Sequence, residues 1–87
     1  MKQILIVDDS AVIRRVARRI FETFHFRTAE AESGLEALAE CQKAMPDVIL
    51  VDWRMPKMDG LEFVGQLRKL PGGDAPTVPS PAVLAEG

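Results

Sequence analysis

Ile4-Leu5-Ile6-Val7-Asp8-Asp9-Ser10 decides the fold. A short continuous apolar run, rich in β-branched residues, suits a strand buried on both faces. Two aspartates and a serine then break the run and supply N-cap chemistry. Past Ser10 the period changes. Val12, Val16, Ile20 and Phe24 recur every four residues with Ile13, Ala17 and Phe21 beside them, whereas Arg14, Arg15, Arg18, Arg19 and Glu22 fall on the other side. This is the pattern of an amphipathic helix over about 11–24.

The alternation continues along the chain. Phe26 to Ala31 reads as a second, more polar strand. Ser33-Gly34-Leu35-Glu36 has the form of a capping box. The helix it opens is expected to carry Leu35, Leu38 and Ala39 inward and to run to about Ala44, with Pro46 marking the stop. Val48-Ile49-Leu50-Val51 is a third buried strand. Asp52 to Met58 reads as a loop containing Pro56. Asp59, as N-cap, starts a helix that points Leu61, Val64 and Leu67 inward and ends at Pro71-Gly72-Gly73. Residues 71–87 form a Pro/Gly-rich tail with Pro76, Pro79 and Pro81, expected to be mostly irregular or mobile, with Ala82 to Ala85 at best a stub of strand. The order β-α-β-α-β-α implies an α/β fold with a parallel sheet and right-handed crossovers.

Composition bounds the function classes. The 87 residues are 47% hydrophobic and 28% charged, an ordinary balance for a globular domain. A net charge of −2 argues against a generic nucleic-acid or anionic-membrane binder. The single cysteine, Cys41, cannot form an internal disulfide, and it reads as a small core filler. No apolar run approaches a membrane span of roughly 18 residues, and the N-terminal run is too short for a signal peptide. A cytoplasmic location is the expectation.

The chemistry lies in the carboxylates. In a parallel sheet, ligands sit beyond the carboxyl ends of the strands. Asp8 and Asp9 end the first strand and Asp52 ends the third. Taken alone, Asp8 and Asp9 read as well as helix caps as they do as ligands. An acid directly after each of two apolar strands is the more specific signal. If the two strands are neighbours, three like charges converge and call for a cation. Oxygen ligands with few protein contacts suit Mg²⁺. One carboxylate could serve as a nucleophile towards a phosphoryl group.

Two segments resemble a known family. Ile4-Leu5-Ile6-Val7-Asp8-Asp9-Ser10, followed by an Arg-bearing helix, is similar to the start of a two-component response-regulator receiver domain. Val48-Ile49-Leu50-Val51-Asp52-Trp53-Arg54-Met55-Pro56-Lys57-Met58-Asp59-Gly60 is similar to the segment around its phosphoacceptor. The resemblance covers residues 1–70 in register. It implies the flavodoxin-like, CheY-like fold with strand order 2-1-3-4-5. By position, Asp52 matches the aspartate phosphorylated by a histidine kinase or histidine phosphotransfer protein. Asp9 matches the direct Mg²⁺ ligand, Asp8 its largely water-mediated partner, and the Arg54 carbonyl the backbone ligand. The resemblance also makes docking of the phosphodonor on Arg14, Arg15 and Arg18 an expectation, beside the plainer reading of a solvated face with an Arg18–Glu22 pair. Trp53, Met55 and Lys57 line the same loop, with Pro56 and Gly60 as turn residues. His25 reads as a helix-end cap or surface residue.

Length sets a further expectation. Strands starting near residues 3, 26 and 48 imply about 23 residues per unit, so five units would need roughly 115 residues. The chain then reads as a C-terminally truncated receiver: a partial domain over 1–70, and a tail over 71–87 that holds a remnant of strand four. The resemblance places a Ser or Thr after strand four and a Lys after strand five. Thr77 and Ser80 do not align with the first, and no lysine follows Lys69. Strand three would become a sheet edge, and an apolar edge invites pairing. Association is therefore expected: a homodimer through strand three, a swap or aggregation. The tail prolines make self-coverage of that edge the poorer option. Function reads as a phosphoacceptor module that at most phosphorylates itself, or alternatively as a switch-incompetent remnant acting in binding or dimerisation. A phosphatase of the DxD type is disfavoured, because Arg54 stands where its second acid belongs.

Overall fold

The computed structural model describes residues 1–52 and 60–79. Strands and helices alternate as β1 (Gln3–Val7), α1 (Ala11–Thr23), β2 (Arg27–Ala31), α2 (Gly34–Lys43), β3 (Val48–Val51) and α3 (Gly60–Leu67). The strands form one parallel sheet in the order β2-β1-β3, so the first strand is central and carries the acid pair at its carboxyl end. Its burial on both faces follows from that position: Ile4, Leu5, Ile6 and Val7 are each 1% exposed. Because side chains alternate along a strand, Leu5, Val7, Ile49 and Val51 share one face. They join Ala31, Ala37, Cys41, Phe63 and Leu67 in a single core beneath α2 and α3. Ile4 and Ile6 point to the opposite face.

The inward sets of α2 and α3 differ from the sequence expectation. Gly34, Ala37 and Cys41 are buried in α2, with Leu38 packed at the margin, while Leu35 and Ala39 are exposed. Gly60, Phe63 and Leu67 are buried in α3, with Val64 at its margin, and Leu61 is exposed. Both helices thus bury positions spaced i, i+3, i+7, counted from the glycine after the predicted cap. The two leucines that follow these glycines lie more than a quarter-turn off the buried stripe. Small side chains at 34, 37 and 41 let α2 lie close to the sheet, a preference that hydrophobicity alone does not show. Ser33 caps α2 as expected, its side chain accepting from the Glu36 N–H at 3.1 Å. The expected cap at Asp59, the loop residues Trp53 to Met58, Ser80 and the stub at Ala82 to Ala85 lie outside the described residues.

Helix α1 forms where the period places it but buries none of its residues. Val12, Ile13, Val16, Ile20 and Phe24 are between 50% and 67% exposed. Besides the Arg14 and Arg18 contacts to Glu30, capping at both ends fixes the helix. Ser10 caps the start, accepting from the Ile13 N–H at 3.3 Å. At the other end the Phe26 N–H donates to the Phe21 carbonyl at 3.0 Å and the His25 N–H to the Glu22 carbonyl at 3.0 Å. These two bonds make a Schellman motif, and the rings of Phe21 and Phe26 meet edge to face at 5.6 Å to complete it. His25 occupies the left-handed position, at φ 65°.

The chain returns to the sheet after α3. Gly73 donates to the Leu70 carbonyl at 2.8 Å, and a Cβ there would collide with the Leu67 carbonyl, so the turn requires glycine. Arg68 staples the turn through Nη1 to the carbonyls of Gly73 and Pro76, at 2.8 and 3.0 Å. Thr77 then pairs in parallel with Val48: its N–H donates to the Asp47 carbonyl and its carbonyl accepts from Ile49, both at 2.9 Å. The expectation that prolines keep the tail off β3 is thus corrected at one residue. Its physical basis reappears at the next step. A parallel ladder uses every second residue of the strand as donor, and the residues two and four past Thr77 are Pro79 and Pro81. Pro79 has no N–H to give the Ile49 carbonyl, and among the described residues the pairing stops at Thr77.

The αL position of His25 supplies one prediction. A residue with a Cβ is strained there by roughly 1 kcal/mol relative to glycine. His25→Gly is expected to stabilise the protein by about 0.5–1 kcal/mol, read as an increase in the urea midpoint at unchanged m value.

Candidate metal and phosphoacceptor site

The register of β1 against β3 assembles the site. Val7 pairs with Val51, and the Asp52 N–H donates to the Val7 carbonyl at 2.8 Å. The residues after the two strand ends therefore emerge side by side. Asp8, Asp9 and Asp52 each offer a carboxylate oxygen, all within 4.8 Å of one another. Opposed ligands on one Mg²⁺ stand about 4.2 Å apart, so modest adjustment of these side chains would bring all three oxygens to one ion. Of the expected ligands, the structure brings together these three. The Arg54 carbonyl lies outside the described residues.

Asp8 is the most constrained member. Its N–H donates to the Ala31 carbonyl at 3.1 Å, its Oδ1 accepts from the Ser10 N–H at 2.8 Å, and its carbonyl accepts from Arg14 Nη1 at 2.7 Å. Partial burial raises its pKa above the ordinary 3.8, and the negative charges of Asp52 and Asp9 push the same way; the Ser10 N–H opposes them. Asp9 is exposed and Asp52 half-buried. Beside the cluster a cavity of about 410 Å³ opens between α1 and β3, with Ile6, Ile13, Ala17 and Leu50 as its apolar wall.

The three arginines expected at a docking face are separated by the structure. Arg14 turns inward, its side chain 15% exposed, and pairs through Nε with Glu30 of β2 at 3.1 Å. Arg18 stays at the surface, paired with Glu22 as expected at 3.3 Å and with Glu30 at 2.8 Å. Those hydrogen bonds, Arg18 first and Arg14 with it, hold the Glu30 carboxyl below its ordinary value despite some burial. Arg15 is exposed on the same helix. The roles of Arg14 and Glu30 beside the site were not legible in the sequence, because β2's register against β1 is what brings Glu30 within reach. Cys41 is buried, and burial with the nearby Glu40 charge pushes its thiol up to about 11, so it remains protonated packing material.

Comparison with known proteins defines the class. The sequence profile of the response regulator receiver domain matches residues 4–82. The chain is 41% identical over 68 residues to the chemotaxis protein CheY of Listeria monocytogenes, covering 77% of this chain and 57% of that protein. The structure of Vibrio cholerae CheY4 superposes over all of this chain and 78% of its own, with a TM-score of 0.86 at 35% identity. The Thermotoga maritima response regulator TrrA, solved in complex with Mg²⁺ and BeF, superposes over 79% of this chain and 60% of its own, with a TM-score of 0.75 at 36% identity. The chain belongs to the response regulator receiver domain family of two-component systems, and its fold is an incomplete CheY-like flavodoxin fold. It spans between about a third and just over half the length of relatives such as the Listeria protein and a Pseudomonas aeruginosa transcriptional regulator. Among the described residues no helix is long and apolar enough to cross a membrane.

The electrostatics yield a prediction with a definite sign. A carboxyl whose pKa is raised by folding contributes stability below its ordinary value of 3.8, and that contribution is lost as pH rises through the raised value. Metal-free Asp8→Asn, which keeps an oxygen for the Ser10 N–H, should therefore unfold at a higher temperature than the parent at pH 7. The gap should close as pH falls below 4. Thermal denaturation in chelator across that range measures both.

Proposed function

We propose that this chain is the phosphoacceptor part of a two-component phosphorelay, receiving a phosphoryl group on Asp52 from the phosphohistidine of a histidine kinase or phosphotransfer protein. The observation that carries the reading is the convergence of Asp8, Asp9 and Asp52 at the ends of two adjacent parallel strands. A carboxylate oxygen of Asp52 attacks phosphorus as the P–N bond breaks. The bonding pair leaves on the protonated imidazole, which departs neutral, and Asp52 becomes an acyl phosphate. Asp9 would ligate Mg²⁺ directly and Asp8 largely through water, with Asp52 and the Arg54 carbonyl completing the protein ligands. Mg²⁺, when bound, neutralises charge gathering on the phosphoryl oxygens. The Asp52 N–H bond to the Val7 carbonyl fixes where the nucleophile leaves the strand. Arg15, exposed on α1, would offer a cation to an acidic face of the donor, beside Arg18, which Glu22 and Glu30 already engage.

Incubation with acetyl phosphate and Mg²⁺ is expected to add one phosphoryl group, seen by intact-mass spectrometry. Asp52→Asn and EDTA should each abolish the label. An unlabelled parent chain beside a labelled CheY control would overturn the reading.

A second reading, association between copies, is favoured by the edge itself. Beyond Thr77 the outward groups of β3 find no strand among the described residues, and the apolar side of α1 stands open next to them. Light scattering at increasing concentration is expected to show a dimer or larger species. A clean monomer from low to high micromolar concentration would sink this.

A further inference from the structure

Of the four arginines on α1, only Arg14 reaches the acid cluster, and it does so through main chain. Its Nη1 donates to the carbonyl of Asp8 at 2.7 Å while its Nε pairs with Glu30 at 3.1 Å. Its side chain is 15% exposed, against 45% for Arg18 one turn further on. The carbonyl it holds belongs to the peptide that joins Asp8 to Asp9. That peptide is planar, so fixing the direction of the Asp8 carbonyl fixes the direction in which the Asp9 backbone departs. Asp8 itself is already secured on its other sides by the Ala31 carbonyl and the Ser10 N–H. Asp9, exposed and in a loop one residue before the N-cap, has its backbone direction set by this shared plane, while its carboxyl meets that of Asp8.

Glu30 makes the arrangement more than a stray contact. It lies on β2 opposite Ile6 of β1, one residue before the Ala31 carbonyl that receives the Asp8 N–H. It matches the Arg14 charge locally and takes Arg18 on its other oxygen. Arg14 is therefore paired already and is poorly suited to act as a loose counter-charge for the aspartates. A fork with one nitrogen on a carboxylate and another on a carbonyl is a task for guanidinium geometry, which lysine cannot reproduce.

We infer that Arg14 is a positioning residue: braced by Glu30, it locks the Asp8–Asp9 peptide so that Asp9 is pre-oriented toward the cation that the three aspartates would share. The inference rests on the metal site of the proposed function. Partners behind metal ligands commonly govern affinity by 10–100-fold.

Mg²⁺ alone, titrated into the full chain by isothermal calorimetry, tests the proposal, together with ¹⁵N relaxation of the Asp9 amide in metal-free protein. Arg14→Lys, which keeps the charge, and Arg14→Gln are expected to weaken Mg²⁺ binding by about 10-fold. They should also lower the order parameter of the Asp9 amide while leaving the far-UV spectrum unchanged. Glu30→Gln should give a smaller loss in the same direction, and Arg18→Gln should stay within twofold of the parent. Should Arg14→Gln not fold, Arg14→Lys and Glu30→Gln decide. Parental affinity in Arg14→Lys would reduce Arg14 to a charge and overturn the proposal, as would weakened binding with an unchanged Asp9 amide. Asp9→Asn tests the underlying site separately. If the parent binds no Mg²⁺, the metal reading fails first. If the parent binds and Asp9→Asn does not, the site stands and the Arg14 variants alone decide the positioning role.

Discussion

The candidate site depends on how β1 pairs with β3. The ladder matches Val7 with Val51 and closes with the Asp52 N–H on the Val7 carbonyl. A slip of one residue would exchange the two faces of β3. It would turn Ile49 and Val51 away from the core and carry Asp52 out of line with Asp8. Register is set by burial. Ile49 and Val51 have Phe63, Leu67 and Cys41 to pack against on one side only, so apolar contact and carboxylate placement are two outcomes of one alignment.

That alignment places three like charges together, against the interest of the metal-free fold. Burial and the neighbouring charges both raise Asp8, while backbone groups of Ser10, Ala31 and Val7 hold the cluster from below. The three acids form a group that could share a metal ion. Arg14 and Glu30 belong to the same support. Their ion pair is anchored on β2 and α1, the two elements that flank β1 and its outgoing loop.

The two faces of the sheet are finished unequally. The face beneath α2 and α3 has a closed core built on small residues and two large ones, Phe63 and Leu67. The other face carries only α1 among the described residues, and its stripe from Val12 to Phe24 stays half exposed or more. Among the described residues, the edge beyond β3 receives one bridge, at Thr77, before the ladder meets Pro79. That edge and the exposed stripe of α1 lie at one side of the described residues, next to the acid cluster and its cavity.

Sequence alone determined the order of elements, the central place of β1, the Ser33 cap, the Arg18–Glu22 pair and the three acids. Apolar runs, periods and cap residues are local signals, and the pairing of the two acid-terminated strands is implied by the resemblance to the receiver family. Tertiary structure decided what local signals cannot carry. Burial of Gly34 and Ala37 in place of Leu35 and Ala39, and of Phe63 in place of Leu61, depends on how near each helix lies to the sheet. The exposure of the α1 stripe depends on which elements are there to cover it, a matter its own amphipathic period cannot express. Arg14, one of four similar arginines in sequence, is singled out because strand register delivers Glu30 and the Asp8 carbonyl to one side of the helix.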